Sequence, residues 1–350
     1  MMTQPTSTAE ERGLYYERLK PLSLAPLWEV IHQLLAREPV TDAVPYRWHY
    51  DDVRPLLLES GGLISAEEAE RRVLVLENPG LSGRSAITET LYAGLQLILP
   101  GEIAPAHRHT PSAFRFIVEG ERAFTAVDGE KAYMAPGDLI LTPNWAWHDH
   151  GHDGDAPMVW LDGLDIPLVR YLGPVFAEGY PDPQFPTNRP EGSSYARYGR
   201  NMRPVGDRYE GPSSPIFHYP FAASMAALES LAAYADPDPK RGWCMEYIDP
   251  TTGGPIMKTL SAFLTLLPEG FAGADRQTTE GQVFSCVQGT GRTVVTARDG
   301  SEQVFDWGPR DHFVVPPWVR HRHQSDGRAV LFSFSDGGVQ RLLGLYRETN

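Results

Sequence analysis

Histidine is concentrated in one short stretch of this sequence. Five of the eleven histidines fall within 46 residues, and these are His107, His109, His148, His150 and His152. Because His107 and His109 are two residues apart, both imidazoles lie on the same face of a β-strand and can reach one ion. His148 follows the apolar run PGDLILTPNW, which predicts a second strand beside the first. Three converging imidazoles could bind a borderline metal such as Fe(II), Zn, Mn or Ni.

The elements around these histidines are predicted to be short strands. Apolar runs separated by Gly, Pro and Asp extend from about Val73 to residue 170, a pattern typical of antiparallel strands joined by turns. Asp128-Gly129 lies between two such runs and predicts a tight hairpin. Helices are predicted over 9–19 and over 24–37, where Pro26 lies near the start, and again over 220–235. Residues 173–215 are rich in Pro, Gly and Tyr and are expected to form a connector.

The sequence contains an internal repeat. Residues 118–150 resemble residues 287–323, with Gly120 and Gly289 169 residues apart and His148 and His321 173 apart, so one turn of the second copy should be four residues longer. Asp162 is expected to be equivalent to Asp336. Two tandem antiparallel β-domains explain the repeat most simply.

The predicted fold is therefore mainly β, with two small barrels or jelly rolls. We expect a helical N-terminal segment over 1–72, a first β-domain over 73–172, a linker with a helix over 173–245 and a second β-domain over 246–350. In the second copy Arg276 and Thr278 stand where His107 and His109 would fall. One remaining imidazole, His321, does not make a metal site, so this domain is expected to be structural.

Composition excludes several classes of protein. The formal net charge is −14, which does not favour binding to nucleic acid or to anionic lipid. Two cysteines exclude a disulfide framework and a cysteine-based metal cluster. The first residues are polar, without the apolar core of a secretory signal, and no stretch approaches the roughly 20 apolar residues that span a membrane. A cytoplasmic protein that does not bind membranes is expected.

Two motifs resemble a known superfamily. GEIAPAHRH…VEG followed by GDLILTPNWAWH is similar to the paired motifs of the cupins, and two copies make a bicupin. Two positions depart from the usual pattern. Trp145 stands where motif two usually has Gly, and Ala113 stands where motif one usually supplies a glutamate ligand. Since alanine cannot coordinate a metal, the resemblance implies a site of three neutral histidines.

A longer set of segments, ENPGLSG…LYAGLQLILPGE…VEGE…WLDGLDIP, resembles the gentisate 1,2-dioxygenase family, which includes salicylate and 1-hydroxy-2-naphthoate dioxygenases. This resemblance implies one Fe(II) per chain, an aromatic hydroxy-acid substrate and O2. The ring would open between the carbons that bear the carboxyl and ortho-hydroxyl groups, and gentisate would give maleylpyruvate. Such enzymes serve the catabolism of aromatic compounds, and homotetramers are common among them.

The same resemblance implies roles for residues outside the three metal ligands. Substrate binding is expected of Arg71, Tyr92, Gln96, Arg115 and His150, and catalytic roles are expected of His150 and Asp162. Arg115 has the strand parity of the ligands, although Pro111 could turn it outward into a surface salt bridge. His150 could instead support a neighbouring ligand or face solvent, and Arg71 could be an exposed charge at a helix end. Tyr92, Gln96 and Asp162 could be packing or turn residues, and His152 is expected to lie in a loop.

Other functions remain open from the sequence. The chain could be a salicylate or 1-hydroxy-2-naphthoate dioxygenase, because a few pocket residues decide the substrate. A cupin that only binds a small carboxylate, as a sensor or storage protein, is a second class. A Zn or Mn cupin isomerase is a third, although such a site would ordinarily use the glutamate that is absent here. The complete set of three histidines favours chemistry over storage.

Overall fold

Two helices form the first of the two units into which the chain divides, residues 1–40 and 41–350. The computed structural model describes residues 7–349. Helix α1 (Ala9–Leu19) begins with a capping box, in which the Glu11 amide donates to the Thr8 hydroxyl and the Thr8 amide donates to the Glu11 carboxylate. A 3-10 turn follows, and α2 (Leu27–Leu34) begins directly after Pro26. The helix predicted over 24–37 is therefore shorter at both ends.

The second unit begins with the elements that lead into the first β-domain. They are β1 (Tyr46–Trp48), α3 (Tyr50–Leu63), α4 (Ala66–Ala69), β2 (Val73–Val75), β3 (Tyr92–Ile98), β4 (Ile103–His109), β5 (Ala113–Glu119), β6 (Ala123–Val127), β7 (Glu130–Tyr133), β8 (Leu139–Thr142), β9 (His148–His152), β10 (Met158–Leu164) and α5 (Ile166–Leu172). Strands β6 and β7 form the hairpin predicted at Asp128-Gly129, and both turn residues have positive φ, 44° and 85°.

The rest of the chain forms the connector and the second β-domain. Its elements are β11 (Ala177–Gly179), α6 (Ser193–Tyr198), β12 (His218–Tyr219), α7 (Phe221–Tyr234), β13 (Trp243–Glu246), β14 (Ser261–Leu267), β15 (Gln282–Gln288), β16 (Gly291–Thr296), β17 (Glu302–Trp307), β18 (His312–Val315), β19 (Arg320–Ser325), β20 (Ala329–Ser335) and α8 (Gly337–Leu342). The helix predicted over 220–235 is confirmed as α7.

Each β-domain consists of two antiparallel sheets. In the first domain the strand orders are β12-β8-β5-β10-β3-β2 and β11-β4-β9-β6-β7, and in the second they are β1-β18-β15-β20-β14-β13 and β17-β16-β19. The domains pack on each other through their larger sheets, where the rings of Phe116 on β5 and Phe332 on β20 stack with centroids 3.9 Å apart. Burial on both faces explains why every residue of these two strands is buried.

The register of the strands reproduces the internal repeat. Arg276 pairs with His321 as His107 pairs with His148. The turn between β16 and β17 spans 297–301, whereas the turn between β6 and β7 is only Asp128-Gly129, which confirms that the second copy is longer there. The domain boundaries at 72, 172 and 245 stay predictions. Strands β1 and β13 extend the larger sheet of the second β-domain at its two edges.

Two predictions about the repeat and its histidines are wrong. Asp336 is equivalent to Asp165, not to Asp162, because each accepts a backbone N–H at the start of the equivalent strand, from Gly281 and Ser112 respectively. His152 does not lie in a loop. It is the last residue of β9 and is buried, with Nε2 donating to the Ala156 carbonyl at 2.6 Å.

The connector contains more structure than its composition predicts. Strand β11 and helix α6 lie within 173–215, and β11 pairs with β4 along Ala177–Gly179. Glu178 of β11 forms an ion pair with Arg108 at 2.6 Å. The connector therefore covers the edge of the strand that carries His107 and His109. None of the helices in residues 7–349 is long and apolar enough to cross a membrane.

Candidate metal centre

Strands β4 and β9 bring three histidines together. His107 and His109 lie on one face of β4, and His148 at the start of β9 pairs directly with His107. The ring centroid of His148 lies 4.3 Å from that of His107 and 4.9 Å from that of His109. One ligand nitrogen from each residue lies within 4.8 Å of the others, a spacing that fits one metal ion. The prediction that these three side chains converge is confirmed. The prediction that the apolar run before His148 lies beside their strand is wrong, because that run forms β8, which pairs with β5 and β12 in the other sheet.

Backbone carbonyls set the protonation of two of the three rings. Nδ1 of His109 lies 2.7 Å from the Pro111 oxygen, and Nδ1 of His148 lies 2.9 Å from the Ala146 oxygen. A carbonyl oxygen only accepts hydrogen bonds, so both of these Nδ1 atoms carry the proton. Nε2 of His109 and Nε2 of His148 then present a lone pair, which is the form that ligates a metal. Nδ1 of His107 lies 3.2 Å from the Pro105 oxygen and closer to Nη2 of Arg71.

The electrostatics of the three histidines suit a metal. Nε2 of His148 is buried and makes no hydrogen bond to any residue in the described range 7–349. Burial is the main cause that lowers the pKa of His107 to about 3 and the pKa of His109 to about 4, so both rings are neutral near pH 7. Ala113 lies on β5 and offers no carboxylate. Three neutral imidazoles with an orphaned buried nitrogen therefore fit a divalent metal.

His150 occupies the next inward position of β9. It is fully buried, and its ring centroid lies 5.9 Å from that of His148 and 5.7 Å from that of Trp160. Nδ1 lies 2.8 Å from the Thr125 hydroxyl, whereas Nε2 is buried without a hydrogen-bond partner in the part of the chain that the structure describes. Burial, followed by the charge of Arg115, holds the pKa of His150 well below its usual value. Its Nε2 is therefore free to bind a ligand beside the three histidines.

Arg115 and Asp162 lie opposite each other on β5 and β10. Arg115 is 4% exposed. Because its neighbours Phe114 and Phe116 contact Phe332 of the second β-domain, Arg115 faces the interior of the first barrel and is not an outward salt bridge. Its Nη1 donates to the Thr142 hydroxyl at 3.0 Å, and its Nε lies 3.5 Å from Oδ1 of Asp162. Trp160 Nε1 also donates to Oδ1 of Asp162, at 3.1 Å. Burial outweighs these partners and raises the pKa of Asp162 to about 6.

Arg71 approaches the site from the segment between α4 and β2. Its Nη2 donates to the Pro105 carbonyl at 2.7 Å and also contacts Nδ1 of His107. Because a guanidinium nitrogen only donates, this contact uses Nδ1 of His107 as the acceptor, and a ring that gives Nε2 to a metal must turn Nδ1–H to the Pro105 carbonyl instead. Burial, followed by the charge of Arg115, lowers the pKa of Arg71 to about 10. Arg71 is thus part of the site surroundings and not an exposed charge at a helix end.

Tyr92 and Gln96 share a face of β3, as predicted. Tyr92 pairs with Leu164, and Gln96 pairs with Trp160. Burial and the charge of Asp162 raise the pKa of Tyr92. Gln96 is 3% exposed. Both side chains therefore belong to the inward face that also carries Asp162.

Sequence reasoning missed the residues that support the predicted ones. Thr125 holds the ring of His150, Thr142 holds Arg115, and Trp160 holds Asp162. One signal was available in the repeat, because Thr293 holds His323 in the second β-domain at the same distance of 2.8 Å. A threonine and a histidine at equivalent positions of both copies indicate that the two side chains form a hydrogen bond. Thr142 and Trp160 have no such signal in the repeat.

The turn that leads into β9 is held by Trp145. Its φ is 62°, in the left-handed region where cupin motif two usually has Gly, and Trp318 at the equivalent turn has φ of 61°. The indole ring lies 4.6 Å from that of Phe176 and 4.4 Å from the guanidinium carbon of Arg108. Its backbone N–H donates to the His109 carbonyl at 2.9 Å. These contacts offset the backbone strain and tie the start of β9 to the end of β4.

Comparisons with known proteins agree with this geometry. The family described as Cupin domain matches residues 94–164. Gentisate 1,2 dioxygenase 1 of Aquipseudomonas alcaligenes is 47% identical over 99% of both chains. The 5-aminosalicylate 1,2-dioxygenase of a Comamonas species is 36% identical over 99% of this chain and 92% of its own. A crystal structure of salicylate 1,2-dioxygenase from Pseudoaminobacter salicylatoxidans with gentisate adducts matches with a TM-score of 0.90 and 34% identity, over 99% of this chain and 96% of that one.

These relatives cover nearly the whole chain, and the solved one shares its two-barrel architecture, which confirms the predicted bicupin fold. The histidine trio lies within the segment that matches the cupin family. The protein is therefore a bicupin enzyme that belongs to the gentisate and salicylate type of ring-cleaving 1,2-dioxygenases.

Proposed function

We propose that this enzyme is an Fe(II)-dependent gentisate 1,2-dioxygenase. It would use O2 to break the ring bond between the carbons that bear the carboxyl and ortho-hydroxyl groups, with maleylpyruvate as the product. One Fe(II) per chain would be held by His107, His109 and His148. The observation that carries the proposal is a donor set of three neutral imidazoles with a buried guanidinium in the same barrel.

Iron is favoured by the chemistry of the site. Fe(II), when bound, supplies the electrons that activate O2, which redox-inert Zn cannot supply. Because all three ligands are histidines and Ala113 offers no carboxylate, the ligands contribute no negative charge. Such a site favours an anionic ligand that can replace the absent carboxylate. A substrate with a carboxylate beside a hydroxyl has this chemistry.

The two arginines would orient the substrate. Arg115 would bind the substrate carboxylate, because a guanidinium and a carboxylate form paired hydrogen bonds that fix a planar ring. Its Nε makes no hydrogen bond to the residues that the structure describes and is available for this contact. With Arg71 cationic and Asp162 the one acid that contacts Arg115, the protein side chains around the histidines favour anions.

His150 would accept a proton from a ring hydroxyl. The Thr125 hydroxyl donates to Sδ of Met134 at 3.3 Å, so its oxygen accepts Nδ1–H of His150. The lone pair then lies at Nε2, which has no other partner among the described residues. Asp162 and Tyr92 would hydrogen-bond the far side of the ring, and Gln96 would line that wall. Thr125 thereby sets the proton position that the reaction requires.

Gentisate is preferred over its rivals because the relative at 47% identity acts on gentisate by name. Salicylate is the second candidate, since the solved relative is a salicylate 1,2-dioxygenase. 1-Hydroxy-2-naphthoate would need a larger pocket. A homotetrameric, cytoplasmic enzyme is also proposed, and Tyr171 and Leu172, exposed by 88% and 68%, favour association with further copies.

The test is a turnover assay on enzyme purified without oxygen. The protein is loaded with Fe(II), mixed with gentisate in air, and followed by O2 uptake and by the absorbance of the ring-opened keto acid. Stoichiometric uptake is expected, and enzyme loaded with Zn should show none. Faster turnover of salicylate or 1-hydroxy-2-naphthoate would replace the proposed substrate. No uptake with any of the three acids, despite a full iron site, would contradict the dioxygenase proposal and favour a cupin that only binds carboxylates.

A further inference from the structure

The second β-domain encloses a basic cavity at the position where the first holds its histidines. The cavity has a volume of about 190 Å³ and is lined by both positive and apolar side chains. The cations are Lys240, Arg241, Arg276 and Arg341, the lining also includes the acid Glu246, and the apolar walls include Phe284 and Leu331. A cavity of this composition lies inside a barrel that contains no group of three or more metal ligands in its described residues. The chemistry of this cavity must therefore differ from that of the histidine centre in the first barrel.

Arg276 is the central charge of this cavity. It replaces His107 in the repeat and is 7% exposed. Its Nη1 donates to Gln282 and its Nη2 donates to Glu280, each at 2.7 Å. Its Nε is buried and has no hydrogen-bond partner in residues 7–349. Oε1 of Glu348 lies 3.6 Å from this Nε. A buried guanidinium thus keeps one unused donor.

The segment 345–349 places a carboxylate at the edge of the cavity. Glu348 receives two hydrogen bonds from Nη2 of Arg241, at 2.8 and 2.6 Å, and one from the Tyr346 hydroxyl at 2.9 Å. Lys240 lies 3.9 Å from the same carboxylate. Within this segment, Glu348 forms an antiparallel β-bridge with Thr278. Glu348 therefore occupies the place that the carboxylate of a bound acid would take between Arg241 and Arg276.

The two histidines that line this cavity belong to no group of three metal ligands among the described residues. His321 and His323 line the cavity, and both are buried. Burial lowers the pKa of both rings, to about 3 for His323, and Arg276 adds to the effect. The rings are neutral near pH 7, so they act as hydrogen-bonding groups. The fixed positive charge comes from the arginines.

We infer that the second barrel binds a small organic monocarboxylate, with its carboxylate on Arg241 and Nε of Arg276 and its apolar body against Phe284 and Leu331. Binding displaces Glu348, which acts as a tethered internal competitor. The site lies outside the histidine centre and does not depend on the proposed reaction. It would let the enzyme bind an organic acid without ring cleavage.

The experiment titrates the iron-loaded full chain with benzoate in the absence of oxygen, by isothermal calorimetry. Benzoate has a carboxylate and an apolar ring but no hydroxyl. The wild type should show a binding event besides any event at the histidine centre. In Glu348→Gln that event should tighten by about tenfold, because a competing charge is lost. In Arg241→Gln it should weaken by more than about tenfold.

Arg347→Gln is the matched control, because Arg347 is exposed and its side chain donates only to the Gly344 and Tyr346 carbonyls. It should leave the titration unchanged, and gentisate turnover should be the same in all three variants. A parallel titration with propionate shows whether the bound acid must be aromatic, and either ranking supports the site. An extra binding event that is absent, or that responds to neither Glu348→Gln nor Arg241→Gln, would overturn the inference.

Discussion

Replacing Arg115 with Gln tests whether this arginine anchors the substrate. The side chain is 4% exposed, so any contact that it makes with a carboxylate is shielded from water. Truncating one partner of a buried charged pair costs about 2–5 kcal/mol. At roughly 1.4 kcal/mol per tenfold, kcat/KM for gentisate should fall by about 30-fold to several thousand-fold. Iron content should not change, because Arg115 is not among the ligands.

Asp162 complicates this experiment and also supplies its control. Arg115→Gln leaves the buried Asp162 without the cation that lies 3.5 Å from it, which alone could disturb the site. The double variant Arg115→Gln with Asp162→Asn removes both charges. Full recovery of kcat/KM in the double variant would show that Arg115 only neutralises Asp162, and would refute the anchoring role. A persistent loss, seen mainly as a raised KM, is the expected result.

Arg72 is a matched buried arginine with a structural role. Two of its nitrogens bind Glu102 at 2.8 and 2.9 Å, and it also donates to the Ile64 carbonyl. Arg72→Gln should lower the melting temperature but leave KM unchanged. Equal effects of Arg72→Gln and Arg115→Gln on KM would show that the loss reflects general damage to the barrel. The kinetic assay is steady-state O2 uptake at varied gentisate concentration.

Three further predictions concern iron, pH and backbone geometry. His109→Ala should lose bound iron and turnover, whereas His321→Ala should keep its iron, as measured by metal analysis; loss of iron in His321→Ala would contradict the assignment. Burial raises the pKa of Asp165 from 3.8 to about 6. The stability that this carboxyl contributes is therefore present below about pH 4 and is lost as pH rises through about 6. The loss in the free energy of unfolding is up to roughly 3 kcal/mol. Asp165→Asn should therefore raise the melting temperature near pH 7 but not near pH 4, and an equal change at both would refute this cause. Gly120 has φ of 90°, and an added Cβ would lie 2.7 Å from Cα of Met158, so Gly120→Ala should destabilise by more than about 1 kcal/mol in a melting experiment.

Part of the histidine centre could be predicted from sequence because its information is local. Strand alternation places His107 and His109 on one face. The hairpin at Asp128-Gly129 follows from the turn preference of that dipeptide. The partner strand is not local information: the apolar run before His148 forms β8, which pairs with β5 and β12, whereas the polar strand β9 lies beside β4 and carries His148.

Other features depend on contacts between distant segments, which the sequence pattern does not contain. The sequence pattern pairs Asp162 with Asp336 because both precede a helix. The hydrogen bonds that Asp165 accepts from Ser112 and Asp336 accepts from Gly281 show instead that Asp165 is the equivalent of Asp336. His152 carries no periodic signal because its strand, HDHGH, is polar although it is buried. Burial of polar strands is set by tertiary packing and overrides the local pattern.

The two barrels carry different side chains at equivalent inward positions. In the first, the inward positions hold neutral histidines that suit a metal, and Arg115 lies opposite Asp162. In the second, Arg276 replaces a ligand histidine, while Phe284 takes the position of Arg115. A fixed guanidinium thus replaces one of the ligand histidines, and it is paired with Glu280 and Glu348. We propose that both interiors accept a carboxylate, whereas among the described residues the first barrel alone has the three-histidine donor set that suits redox chemistry.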